Sequence, residues 1–163
     1  MTTTPPVRQI RDISGLLDHA SHVLATRMAA AFTEVGITPR AYCVLFHAQE
    51  AERTQIQLAE LADLDKTTMV VTVDELEKAG LAERRPSATD RRARIISVTE
   101  AGGRAVARGT EVADRVHREV LEALPQHEQE VFVSALSRLV DGHLAEPVES
   151  ERIVRRARRP RGY

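Results

Sequence analysis

Apolar side chains recur at helical spacing along most of this chain. Ile10, Ile13, Leu17, Ala20, Leu24, Met28, Ala31 and Val35 form a first stripe that Gly36 ends. Thr38-Pro39 predicts an N-cap and a proline at the first helical position, where its missing N–H costs no hydrogen bond. The helix they open carries Tyr42, Leu45 and Phe46 on one side and ends near Glu50. Thr54 and Gln57 have capping-box spacing and predict a third, short helix over about 55–62. Asp63-Leu64 interrupts the pattern. Asp65 then caps a fourth helix with Met69, Val73 and Leu76 inward and Gly80 just past its end. Two short helices joined by a tight turn predict a helix-turn-helix.

Leu81 to Arg85 and Arg94 to Val98 follow as short strand-like runs around the loop-forming Pro86-Ser87-Ala88-Thr89-Asp90. Thr99 caps a fifth helix, weakened early by Gly102 and Gly103, that buries Val106, Val112, Val116 and Val120. Pro125 starts a sixth with Val131, Ala135, Leu136, Leu139 and Val140 on one face, stopping before Glu146-Pro147. The expected fold is mainly α with a small β-hairpin. Residues 1–9 are a flexible arm, 10–146 one domain, and 147–163 an Arg-rich tail with too little apolar periodicity to order by itself. Within the domain the helix-turn-helix and hairpin span about 38–99, flanked by helices over about 10–36 and 100–146. The stripes of helices one, five and six exceed the private core of so aromatic-poor a chain, which predicts a homodimer.

A length of 163 residues suits one domain, and 42% hydrophobic with 29% charged residues suits a globular protein. Aromatics are only 3% and Trp is absent, so base-stacking platforms are poorly provided for. There is no apolar run of membrane-spanning length and no signal-like start, so a cytoplasmic protein without membrane contact is expected. The net charge of −1 hides an asymmetry: all 24 acidic residues lie at or before Glu151, and six arginines follow it. Within the acidic body, Arg84, Arg85, Arg91, Arg92 and Arg94 stand against Asp90 alone, a local positive focus suited to a polyanion. P-loop, GxGxxG, GxSxG and HExxH motifs are absent, so neither an enzyme nor a cofactor is expected.

The run Leu64-Asp65-Lys66-Thr67-Thr68-Met69-Val70-Val71-Thr72-Val73-Asp74-Glu75-Leu76-Glu77-Lys78-Ala79-Gly80-Leu81, with Glu83-Arg84-Arg85-Pro86, Asp90-Arg91-Arg92-Ala93 and Val98-Thr99-Glu100-Ala101-Gly102, resembles the MarR family of bacterial transcription regulators. The similarity spans about Leu16 to Leu139 and keeps the family's order of elements. It implies a winged helix-turn-helix homodimer that binds double-stranded DNA at a pseudo-palindromic operator, with a leaning towards repression.

The start of the fourth helix is suited to that role. Lys66, Thr67, Thr68, Val70, Val71 and Thr72 are expected outward or at its first turn, with Lys66 and the hydroxyls for phosphates. Val71 stands where the family often has arginine, so it offers thymine-methyl packing in place of a bidentate guanine contact. Arg84, Arg91, Arg92 and Arg94 are the hairpin's candidates. By resemblance Asp90 orients Arg92, leaving Arg92 or Arg94 for the minor groove.

The family also implies a pocket for a small aromatic or phenolic acid among helices one, two and five, for which Arg11, His19, His22, Tyr42 and His47 are candidates. Each alone also reads as an ordinary core or surface side chain. A redox or metal sensor acting through Cys43 or through His19, His22 and His47 is the alternative, as is a winged-helix protein-interaction module. Carboxylates to complete a metal set are few, so no metal is expected. Cys43 reads as a small buried hydrophobe, and the family's oxidant sensors carry their cysteine on the first helix, which here has none.

Overall fold

In the computed structural model the described residues are 12–87, 94–146 and 148. The chain divides after Glu119 into two units. The first opens with α1 (Ile13–Ala31), capped by Asp12, whose carboxylate accepts the Gly15 N–H at 3.1 Å. This helix is shorter than its stripe. After Ala31 the chain tightens into a single 3-10 turn, Phe32–Glu34, because Phe32 turns fully into the core, and Gly36 then takes φ +77°, which favours glycine. No residue of α1 is buried, and Ile13 and Leu16 are more than half exposed.

The helices α2 (Pro39–Glu50), α3 (Gln55–Leu61) and α4 (Lys66–Lys78) have the expected caps. The Thr38 hydroxyl accepts the Ala41 N–H, Thr54 and Gln57 close the capping box, and Asp65 holds α4. Val44, Leu45, Leu58, Met69, Val73 and Leu76 form the core of this bundle. Strands β1 (Ala82–Pro86) and β2 (Arg94–Val98) pair antiparallel, Ala82 opposite Val98 and Pro86 opposite Arg94. The first strand starts one residue later than its apolar run. Leu81 still belongs to the end of α4, its N–H donating to the Leu76 carbonyl at 2.9 Å. The hairpin is seated on the bundle through Ile96, which is buried and donates its N–H to the Arg53 carbonyl, and through a bridge between Thr54 and Ile95.

Helix α5 (Glu100–Leu121) begins at Thr99, whose hydroxyl accepts the Gly102 N–H and donates to the Gly80 carbonyl. Gly102 proves to be a requirement of this junction, since a Cβ there would lie 2.0 Å from the Leu81 carbonyl oxygen; Gly103 faces open space. Further along, Gly109 leaves a slot for the Tyr42 ring, and Val112 and Ala113 pack with Phe32 and Val35 in a second core. Val106, Val112 and Val116 are buried as their spacing predicts, but Val120 is exposed. In the second unit, from Val120, Pro125 precedes α6 (Gln126–Val140). Its Val131, Leu136, Leu139 and Val140 are all exposed. The arm, and the tail apart from Val148, lie outside the described residues.

Candidate nucleic-acid interface

The site is built on α4. The Asp65 carboxylate accepts the Thr68 N–H at 2.9 Å and the Thr68 hydroxyl at 2.6 Å, tying down the first turn. These Thr68 bonds hold the carboxyl below its ordinary pKa, because they stabilise its charged form. Lys66 and Thr67 are exposed beside this cap, one turn before the exposed Val70 and Val71. Two isopropyl groups kept in water beside a lysine form a surface with apolar and cationic contacts to offer.

One expected contact is corrected. Thr72 is only 3% exposed, and its hydroxyl donates to the Thr68 carbonyl at 2.8 Å. It lies three residues after Met69 and beside Val73, on the inward stripe Met69-Thr72-Val73-Leu76. Thr68 keeps its place at the helix start, but its hydroxyl is committed to the cap.

Arg84 is likewise not a free cation. Its backbone N–H donates to Glu77 Oε1 at 2.8 Å, and its guanidinium reaches Glu77 Oε2, Asp74 Oδ1 at 2.7 Å and, at 3.4 Å, Gln55 Oε1. One half-buried side chain therefore clasps the hairpin to α4 and α3. The attraction of two carboxylates at close range outweighs what the guanidinium gains by facing water. Asp74 and Glu77, three apart on α4, are the signal for this clasp that the sequence carries. Arg85 is exposed and paired with Glu83, and Arg94 is exposed at the start of β2. Asp90, Arg91 and Arg92 lie outside the described residues.

The expected ligand residues are dispersed. Tyr42 stacks tilted against Phe32 and Phe46, with ring centroids 5.1 and 5.9 Å away, and its hydroxyl lies 3.1 Å from Thr110 Oγ1. It is a packing piece between α2 and α5. His47 Nδ1 is 3.2 Å from Glu50 Oε2, and its carbonyl accepts from Arg53, which closes the end of α2. His19 and His22 lie on the exposed α1, and Arg11 lies outside the described residues. Among the described residues no three His, Cys, Asp or Glu side chains gather as a metal set, so His19, His22 and His47 do not form one. Cys43 is half-buried, more open than the buried hydrophobe expected, and burial raises its thiol pKa, disfavouring the reactive thiolate. A cavity of about 430 Å³ lies elsewhere, where the end of α1 and its 3-10 turn meet the start of α2 and the second half of α4; none of these residues lines it.

Among the described residues no helix is long and apolar enough to cross a membrane. Residues 35–93, from the turn after α1 to the residue before β2, match the model of the MarR family. Among solved structures, CouR from Rhodococcus jostii RHA1 bound to p-coumaroyl-CoA is 29% identical with a TM-score of 0.72, over 86% of this chain and 96% of that one. A MarR-family transcriptional regulator from Rhodococcus sp. RHA1 is 28% identical, with a TM-score of 0.71 over 78% of this chain and 91% of its own. The transcriptional repressor CouR bound to a 23-mer DNA duplex is 25% identical, with a TM-score of 0.72 over 78% of this chain and 92% of that one. The helix-turn-helix segment of the chain thus matches the MarR family of transcription regulators, and the chain as a whole is similar in fold to the MarR-family regulator structures.

Proposed function

We propose that this protein is a homodimeric regulator that binds double-stranded DNA sequence-specifically at a pseudo-palindromic operator, represses, and is released by a small aromatic or phenolic ligand. The observation that carries the reading is the outer face of α4: Lys66, Thr67, Val70 and Val71 stand exposed on a helix whose opposite stripe is buried. A helix so held presents its first two turns to the major groove, where Lys66 and Thr67 suit phosphates and the valines suit thymine methyls. Arg94, with Arg91 and Arg92 by sequence, supplies cations for the adjacent minor groove. Arg84 aims the hairpin and makes no contact itself. The similar repressor held on a duplex supports this docking.

Two copies are proposed to join through the exposed apolar residues of α1 and α6, which leave Ile13, Leu16, Val131 and Leu139 in water in the single chain. The p-coumaroyl-CoA held by CouR supports an aromatic effector. Its proposed place is among α1, α2 and α5, where Arg11, His19 and His22 are the remaining candidates beside Tyr42 and His47. The test is selection by the full chain from a pool of randomised duplexes. Enrichment of an inverted repeat with half-sites about one helical turn, ~34 Å, apart is expected. A pool that stays random after repeated rounds contradicts the reading.

A further inference from the structure

Two adjoining cavities lie on the inner side of α4. The first, of about 430 Å³, has walls of Phe32, Ile37, Leu76 and Leu81, and Glu75 is the only charged residue that lines it. The second, of about 480 Å³, shares Ala29, Thr38, Pro39 and Glu75 with the first and adds Arg40. Glu75 and Arg40 are both exposed, yet neither makes an ion pair or side-chain hydrogen bond within the described residues, and they do not pair with each other. Opposite charges held apart at the mouth of an apolar chamber are complementary to a ligand with both charges on one head and an apolar body. The positive end of the α2 dipole adds to Arg40, which sits in that helix's first turn.

We propose that this paired cavity binds a free α-amino acid with a large apolar side chain: ammonium on Glu75, carboxylate on Arg40, and side chain against the partly exposed Ile37 and Leu81. A simple aromatic acid suits it less well, because the apolar chamber offers no cation and Glu75 repels a carboxylate at its mouth. The site shares no side chain with the set Arg11, His19, His22, Tyr42 and His47. Because Thr72, Glu75 and Leu76 of α4 line it, a bound amino acid changes the freedom of the helix whose outer face carries Lys66 and Val71. That regulatory consequence rests on the DNA-binding reading; the site itself does not.

The test is calorimetric titration of the full chain, without DNA, by L-phenylalanine, 3-phenylpropanoic acid and 2-phenylethylamine. L-phenylalanine is expected to bind about tenfold or more tightly than either analogue, since each lacks one charge-assisted contact. Glu75→Gln should weaken L-phenylalanine about tenfold and leave 3-phenylpropanoic acid bound as tightly or more tightly, since a repelling charge is removed. Arg40→Gln should weaken L-phenylalanine and spare 2-phenylethylamine. Both positions are exposed, so the variants should melt like the parent. The proposal is overturned if L-phenylalanine gives no saturable binding in the millimolar range, if 3-phenylpropanoic acid binds as tightly, or if both variants bind L-phenylalanine like the parent. A protein that binds L-phenylalanine as described but retains no duplex upholds the site and overturns the DNA reading alone.

Discussion

Replacing Arg84 by alanine separates two roles for the same cation, because aiming the hairpin and touching a phosphate have different signatures. The guanidinium and Glu77 are both about 30% exposed, so a charge-assisted contact there is worth roughly 1.5–3 kcal/mol before solvent screening. Asp74 is 60% exposed and adds little, about 0–1 kcal/mol. Loss of the clasp should therefore cost about 2 kcal/mol, a fall in melting temperature of roughly 4–8 °C for a chain of this size. Duplex affinity should fall about tenfold because the hairpin is no longer aimed, yet the slope of log K against log salt should not change. A direct phosphate contact would instead reduce that slope by about 0.9 and leave stability nearly untouched. The exchange Arg84→Glu with Glu77→Arg rebuilds the pair in reverse and should recover most of both losses. A shallower slope in Arg84→Ala, with no recovery in the exchange, would refute the clasp.

Gly109→Ala should destabilise by about 1–3 kcal/mol, since its Cβ would lie 2.5 Å from the Tyr42 ring, whereas Gly103→Ala, in open space on the same helix, should stabilise by about 0.5–1 kcal/mol; chemical denaturation of both variants checks this. The Asp65 cap lowers that carboxyl's pKa in the folded state, so its contribution is present above the ordinary value of 3.8 and is lost as pH falls through the lowered one. Asp65→Asn, which caps without titrating, should give a melting temperature whose difference from the parent changes only below about that pH. Leu16→Glu with Leu136→Glu, both at exposed positions, should convert a dimer to monomers in sedimentation without lowering the helix content by circular dichroism.

The helices were legible because their caps and periodicities agree: Thr38-Pro39, the Thr54–Gln57 box and Asp65 all mark true starts. Where the pattern misled, tertiary contact overruled local spacing. The stripe of α1 runs on to Val35, but burying Phe32 needed a tighter turn. Thr72 looked like an outward hydroxyl because threonine is polar; its place three residues after Met69 put it inside. Gly102 looked like a helix breaker, and its reason is the Leu81 carbonyl, distant in the chain pattern and visible only once the hairpin folds back. Arg84 belonged to a cluster whose sum is positive, and net charge does not tell which member is already neutralised. The ligand candidates were placed by helix order alone, and that does not show that Tyr42 is locked between Phe32, Phe46 and Thr110.

Whether the outer face of α4 reads duplex DNA is tested most directly by comparing the binding of a selected inverted repeat and a scrambled duplex by the parent and Val71→Ala, from about 50 to 200 mM salt. Affinity for both duplexes should fall steeply with salt, the repeat should bind about a thousandfold more tightly or better, and Val71→Ala should erode that preference by roughly 1–3 kcal/mol with an unchanged slope. Salt-independent retention, or equal affinity for repeat and scramble, would contradict that role for α4.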